Sequence, residues 1–541
     1  MEAEGSRAGS CPPRPAADAD LAFVRRPMVR WLDPHQLLDT AGRVLASGFS
    51  TSYTDSRQMQ AVAAADVSDR SDQPELWLDY VSDLGDGWNS TYTVASLLAR
   101  DELELPLDDQ VHRMKRGSIL VMGGDQVYPV PTSREYMNRF LGPYQAAMPC
   151  PPPGAAPELF AIPGSHDWYD GLINFTNIFC RQRPVGGRTT SQTRSYFAVQ
   201  LPHRWWLWGI DLQFGDYLDE PQMTFFRTAG KQLEEGDQII LCMAKEVESG
   251  RRSTEVFSTR DLTDLEREVV KPAAARIVLY LKSGRHYYAR FEGSDGVQLV
   301  TAGGGGAFLH PTHHLPEVAA APSENAAGPF RRAAVYPSAE WSRRLRKRVW
   351  LLPAYNLPLA AVLGAIQVMV VFMLSLHLDD RHRDVSFGDL GRALWESPTA
   401  FLLIILIILS FGAMIRLAHD ARGVPRLLIG LGHSALQFGG LGAVIVVASQ
   451  LTSSIDGATG LIALLALVWV VGGIGGVLGV SGYLWATNCL GYHSNEAYAP
   501  LHHMDQKNFL RLHLDSSGEL TVYPIGIDRV ARRWEFAPDG A

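Results

Sequence analysis

The sequence has no cysteine framework. Its five cysteines, Cys11, Cys150, Cys180, Cys242 and Cys489, are odd in number and scattered over 541 residues. With no Cys-x-x-Cys or Cys/His spacing, nothing points to a disulfide-stapled scaffold or a zinc knuckle, and the usage fits a reducing compartment. A basic excess is missing too: the formal net charge is −8. No nucleic-acid partner is expected, because phosphate backbones call for basic surfaces. Residues 1–20 are rich in Ala, Pro, Arg and Asp and lack an apolar segment. They read as a disordered tail rather than a signal peptide. Finally, "GGGG" (Gly303–Gly306) has no Gly-Lys-Ser/Thr after it, which excludes a Walker phosphate loop. Close backbone approach beside a cleft is its expected use.

What the chain does have, beyond residue 350, is four long apolar runs, roughly 355–377, 399–416, 427–449 and 459–484. Each approaches or exceeds the ~20 residues that carry a helix across a bilayer, and "GGIGGVLGVSG" in the last supplies small residues for close helix packing. Orientation follows from Lys and Arg. "RRLRKR" (Arg343–Arg348) precedes the first run, and Arg416, Arg422 and Arg426 lie between the second and third. "QLTSSIDGATG" after the third has no Lys or Arg. This predicts a multi-pass protein of the inner (plasma) membrane with both termini cytoplasmic. Almost no ionisable residue lies inside the runs apart from His433, which speaks against a charged transport pathway. The sequence divides into a tail (1–20), a cytosolic domain (21–350), a four-span region (351–487) and a C-terminal segment (488–541). In that last segment "NFLRLHLDSSGELTVYPIGI" alternates around "DSSGE" and predicts a β-hairpin. A lone hairpin is marginal in water, so it is expected to complete a sheet of the first domain.

That domain carries repeated apolar strands ending in Gly/Asp turns: 75–87, 118–129, 159–171, 205–213, 238–246, 276–288 and 297–306, with helical stretches such as Thr91–Arg100 and Ser133–Phe140 between them. Apolar strands separated by helices argue for an α/β layered fold. "WWLW" (Trp205–Trp208) reads as core strand. In open α/β folds ligands sit beyond the carboxyl ends of the strands. Here those ends carry Asp83 and Asp86, Asp125, His166 with Asp167, and His286. Hard carboxylates and imidazoles converging at one edge suit a divalent metal centre.

The blocks "GGDQVYP" (Gly123–Pro129), "GSHDWYDG" (Gly164–Gly171), "VSDLGDG" (Val81–Gly87) and "KSGRHYYAR" (Lys282–Arg290) resemble those of the calcineurin-like metallophosphoesterases, and more narrowly the bacterial membrane-bound members. The resemblance implies an α/β/β/α four-layer sandwich followed by an all-α four-helix transmembrane region. It also implies hydrolysis of a phosphoester at the cytosolic membrane face, with lipid-linked phosphates among the candidate substrates. One or two divalent ions (Mn, Fe, Zn or Mg) are implied as cofactor. Asp83 would be a ligand of the first metal, Asp125 the bridge, and His286 an imidazole ligand. His166 would protonate the leaving oxygen, with Asp167 fixing its tautomer. Several positions depart from the family pattern. Ser165 stands where Asn is expected and Gly85 where His is expected, with Asp86 as a substitute ligand. "LCMAKEVES" lacks a ligand His, Glu246 being its nearest replacement. In the last block Gly284 and Arg285 flank a single His286, and Arg285 is a candidate to meet the phosphate. His310, His313 and His314 in "LHPTHH", and His493, could line the cleft. The rival expectation is a degenerate phosphoesterase-like domain kept as a membrane-tethered binding module.

Overall fold

The computed structural model describes residues 22–39, 42, 67–107, 110–148, 157–212, 218–244, 259–323, 328–376, 385–402, 404, 405, 408, 424–455 and 457–535. The chain forms two compact units. One comprises Met1–Val29, Thr40–Ala339 and His503–Ala541; the other comprises Arg30–Asp39 and Glu340–His502. The boundaries differ from those read in the sequence because Glu340 to Leu351 and Leu490 to His502 pack with the apolar helices.

The first unit is mixed α/β. All seven apolar segments picked out above contain strands. A nine-stranded sheet runs Ser68–Asp69, Phe197–Leu201, Trp205–Ile210, Gln238–Met243, Arg276–Lys282, Gln298–Ala302, Tyr288–Glu292, Phe330–Tyr336, Val318–Ala319 in spatial order. A seven-stranded sheet runs Leu520–Ile527, Lys507–Leu514, Leu76–Val81, Ile119–Met122, Glu158–Ala161, Arg188–Thr190, Pro184–Val185.

Period-two alternation sorts the side chains of these strands into separate cores. Leu76, Leu78 and Tyr80 join Leu207, Ile240 and Leu279 of the other sheet in one apolar cluster. Trp77 and Val81, on the opposite face, pack with Val94 and Leu98 of the helix Trp88–Leu98 and with Phe140 and Phe175. Trp206 and Trp208 pack with Phe225 and Phe226 of the helix Glu220–Gly230. "WWLW" is therefore core strand, and Trp206 also donates its indole N–H to Asp237 at 2.9 Å.

The C-terminal hairpin forms as read: Lys507–Leu514 pairs antiparallel with Leu520–Ile527 and, on its other edge, with Leu76–Val81. An ion pair without solvent exposure anchors it, Arg511 Nε lying 2.7 Å from Asp79 Oδ1. Strands Leu76–Val81, Ile119–Met122 and Glu158–Ala161 are mutually parallel, as are Gln238–Met243, Arg276–Lys282 and Gln298–Ala302. The loops after each parallel set therefore emerge together.

The second unit is helical. Among the described residues three helices are long and apolar enough to cross a membrane: Leu357–Ser375, Ile429–Thr452 and Gly457–Cys489. They match the first, third and fourth runs; most of the second run, and Arg416 and Arg422, lie outside the described residues. A Cβ on Gly364 would land on the Trp469 carbonyl, and one on Gly473 on the Ala360 carbonyl. Small residues thus let the first and last of these helices approach closely.

Candidate metal centre

Asp83 and Asp125 each follow a strand of the seven-stranded sheet, and both have left-handed backbones, φ 56° and 50°. Non-glycine residues pay strain there unless the surroundings hold them. Two reciprocal hydrogen bonds do so: Asp83 N–H to the Gly124 carbonyl (2.9 Å) and Leu84 N–H to the Asp125 carbonyl (2.8 Å). The turn after Glu158–Ala161 closes onto the same place. A Cβ on Gly164 would strike the Asp125 carboxylate, and the His166 amide donates to Asp125 Oδ1 at 2.8 Å.

The Asp83 carboxylate accepts from the Ser82 hydroxyl (2.8 Å) and from the Gly284 amide (3.1 and 3.2 Å to its two oxygens). Gly284 itself has φ 85°, so the glycine in the last block suits the turn that aims this amide at Asp83. His286 follows. Its Nδ1 donates to the Phe308 carbonyl at 2.7 Å, which assigns the unprotonated lone pair to Nε2. That nitrogen lies 3.4 Å from Asp83 Oδ1.

Between them stands a residue the sequence reading passed over. The Tyr128 hydroxyl is 3.2 Å from Asp83 Oδ1, 3.3 Å from Asp125 Oδ2 and 3.1 Å from His286 Nε2. The available signal was its place in "GGDQVYP", three residues after Asp125.

Burial sets the electrostatics. It raises the Asp83 carboxyl to about 7, against hydrogen bonds from Ser82, Gly284 and Tyr128 that pull it down. It also raises Asp125, to about 6, with the charge on His166 opposing. Burial, and then the charge of Lys507, holds His286 well below the ordinary imidazole range, so this ring is neutral. Tyr128 is pushed well upward by burial and by Asp125 and Asp83, so its phenol keeps its proton. One hydroxyl proton thus faces three acceptors and can serve only one at a time.

Other expected residues sit elsewhere. The Asp86 carboxylate accepts the Val29 amide (2.7 Å) and the Phe308 amide (3.0 Å) and so ties two loops together. Asp167 accepts from the Gly164 amide (2.9 Å), the Gln126 amide (3.3 Å) and the Tyr136 hydroxyl (2.6 Å). It organises the turn, whereas the His166 tautomer is set by the Pro129 carbonyl, 2.8 Å from Nδ1. His310 lies stacked on His286, ring centroids 4.1 Å apart, and its Nδ1 accepts the His286 amide at 3.0 Å. It positions His286. His313 is half-buried beside His314, 4.1 Å between ring centroids. Arg285 is half-buried in the loop before His286. His493 belongs to the helical unit, its Nε2 2.7 Å from the Tyr483 hydroxyl. Glu246 lies outside the described residues.

Gly85 carries no ligand for a steric reason. A Cβ there would lie against the Gln126 carbonyl and 2.8 Å from Val127 Cα, with φ at +35°. Gly303 likewise leaves room for the Asp83 carboxylate, so the glycine run does serve close backbone approach.

Among the described residues no three His, Cys, Asp or Glu side chains form a metal-holding group by themselves. With the Tyr128 oxygen included, the donors around Asp83 are two carboxylates, a phenol and an imidazole lone pair. Such a set suits one hard or borderline divalent cation. Among the described residues a second cation has no comparable set, because Ser165 is exposed, Gly85 has no side chain and Asp86 accepts the Val29 and Phe308 amides.

No protein-family model matches the chain, and no curated protein matches it. Several solved structures are similar to part of it. One is GAP50, the anchor in the inner membrane complex of Plasmodium, at 13% identity and TM-score 0.33, over 48% of this chain and 78% of that one. Another is the purple acid phosphatase PPD1 from yellow lupin (Lupinus luteus) seeds, at 12% identity and TM-score 0.28, over 46% of each chain. A third is PhoD, at 11% identity and TM-score 0.29, over 46% of this chain and 59% of that one.

Proposed function

We propose that the protein is a membrane-anchored, metal-dependent phosphoesterase whose site binds one divalent cation. The observation that carries this reading is the arrangement of three buried acceptors, on Asp83, Asp125 and His286, around the single Tyr128 proton. A cation can be shared by both carboxylates and the imidazole lone pair at once, whereas the hydroxyl proton serves one of them at a time. The first unit is read as a calcineurin-like α/β/β/α sandwich, supported by one apolar cluster shared between the sheets and one against helices on each outer face. Asp83, Asp125, Tyr128 and His286 would hold the ion, which when bound supplies Lewis acidity toward a phosphoryl oxygen and lowers the pKa of water.

The chain's own residues do the rest. Gly284 and Ser82 keep the Asp83 carboxylate oriented. His310 and the Phe308 carbonyl fix the His286 ring. His166, with Nδ1 committed to Pro129, presents Nε2 as the atom that carries a proton to the leaving oxygen. The apolar helices of the second unit are read as spans, with both termini on the cytoplasmic side of the plasma membrane. A substrate held at that face, lipid-linked phosphates included, is consistent with them.

The experiment is hydrolysis of an aryl phosphodiester by the detergent-purified full chain with Mn²⁺, beside Asp125→Asn. Turnover that requires the metal and vanishes in the variant is expected. A second reading has its own support. The Tyr128 hydrogen bonds already link the cluster, and among the described residues no ligand set for a second ion is present, as in a degenerate binding module. Absence of turnover over the variant, across several metals and a monoester, selects that reading.

A further inference from the structure

The helix Ala339–Arg346 and the turn Lys347–Leu351 lead into the first apolar helix, and they hold most of the positive charge in this part of the chain. Arg343, Arg344, Arg346, Lys347 and Arg348 stand against one acidic residue, Glu340, in a protein of net charge −8. Arg343, Arg344, Lys347 and Arg348 are exposed. Arg344 pairs with Glu340. Arg348 donates to the Tyr355 hydroxyl at 2.7 Å and lies over that ring, which turns its guanidinium toward the start of Leu357–Ser375. Next to these charges come apolar groups with no place in a core. Trp350 is 46% exposed, Leu351 48% and Trp485 37%, and the two indoles lie 6.1 Å apart. Trp485 belongs to the last apolar helix and Trp350 to the turn Lys347–Leu351, so the pair marks one level shared by that turn and the end of that helix. Paired indoles at a helix end, with arginines and lysine just beyond, are what the headgroup region of a bilayer selects.

We infer that Arg343, Arg344, Lys347 and Arg348, with Trp350 and Trp485, form a binding site for the headgroups of anionic phospholipids. The inference rests on the apolar helices being spans and is independent of any chemistry at Asp83. The basic side chains bind the lipid phosphate, and the indoles lie at the glycerol level below them. Each basic side chain at an anionic surface contributes about a fivefold gain in affinity, and salt weakens the whole.

The test uses the full chain in nanodiscs containing equal amounts of phosphatidylglycerol and phosphatidylcholine. Lipid retained after transfer to detergent is counted by native mass spectrometry. Phosphatidylglycerol should be enriched about tenfold or more, and high salt should reduce the enrichment. The quadruple variant Arg343→Gln, Arg344→Gln, Lys347→Gln, Arg348→Gln should fall to near parity. If that variant misfolds, Arg343→Gln with Lys347→Gln should lower the enrichment severalfold, and adding Lys347→Arg in place of Lys347→Gln should restore part of it. Equal retention of the two lipids by the wild type overturns the inference, as does enrichment that survives these changes. Displacement of the lipid by millimolar inorganic phosphate would identify a free-anion site and overturn the lipid assignment. Incorporation into nanodiscs is scored separately: a chain that does not incorporate counts against the spans, whereas incorporation without lipid preference counts against this site alone.

Discussion

The Tyr128 hydroxyl lies 3.1 Å from Nε2 of His286, the ring nitrogen left without a proton by the bond from Nδ1 to the Phe308 carbonyl. The same hydroxyl lies 3.2 Å from Asp83 Oδ1 and 3.3 Å from Asp125 Oδ2, within reach of two buried carboxylates. In Tyr128→Phe these acceptors lose it, at a cost of about 1–3 kcal/mol in the cation-free protein. With saturating Mn²⁺ the loss should shrink, because the ion then satisfies them. Thermal unfolding of both proteins with and without Mn²⁺ checks this; an equal loss in both conditions would mean that no ion reaches the cluster.

The pH dependence of stability follows from Asp83, raised from the ordinary 3.8 to about 7 by burial. Between those values the folded chain keeps a proton that the unfolded chain has released. The stability tied to that proton is complete below the lower value and is lost as the pH rises through about 7. Asp125 is displaced in the same direction. The cation-free protein should therefore melt lower at about pH 8 than at about pH 5. Asp83→Asn should flatten the difference, and a divalent cation should stabilise the wild type more at the higher pH. Melting curves at the two pH values read all three.

His166→Gln tests the proton carrier. With an alkoxide leaving group the rate should fall by roughly 10²–10⁴. With nitrophenolate, which leaves without a proton, the fall should be much smaller. Equal losses on both substrates would make His166 a positioning residue, its ring holding in place the backbone N–H that donates to Asp125 Oδ1.

Arg511 and Asp79 form an ion pair without solvent exposure, 432 residues apart in the chain. Arg511→Ala leaves the buried Asp79 carboxylate with only Arg188, 4.0 Å away, and the Gly117 amide, and should destabilise the first unit by about 3 kcal/mol. Arg511→Met combined with Asp79→Leu should recover only part of that loss, because it also takes from buried Arg188 its nearby carboxylate. Denaturant unfolding of the full chain measures both.

Adding donor side chains at Gly85 and Ser165 should succeed at only one of the two positions. Gly85→His would push its Cβ onto the Gln126–Val127 backbone and should lower the unfolding temperature without adding cation affinity. Ser165→Asn, at an exposed site, should fold normally and raise the number of Mn²⁺ ions bound. Isothermal titration calorimetry decides between these outcomes.

Much of this protein is written locally. Apolar strands punctuated by glycine and aspartate, the runs that became Leu357–Ser375, Ile429–Thr452 and Gly457–Cys489, and the terminal hairpin all depend on periodicity, length and turn chemistry within a few residues. That Asp83 and Asp125 lie close together was legible for the same reason, since the strand ends of one parallel set emerge together; His286 follows a strand of the other sheet and meets them only where the two sheets pack. The roles of the strand-end groups were not legible. Asp86 and Asp167 look like ligand and catalyst in the sequence because a carboxylate's type says nothing about its direction. Asp86 turned to the Val29 and Phe308 amides and Asp167 to the Gly164 and Gln126 amides. Tyr128 had no assigned role in the sequence, because only the fold brings three acceptors to its hydroxyl. Sequence by itself determined which elements form and which strand ends carry polar groups. Tertiary structure decided which of those groups face one another, because hydrogen-bond partners more than a hundred residues apart meet only when the sheets have packed.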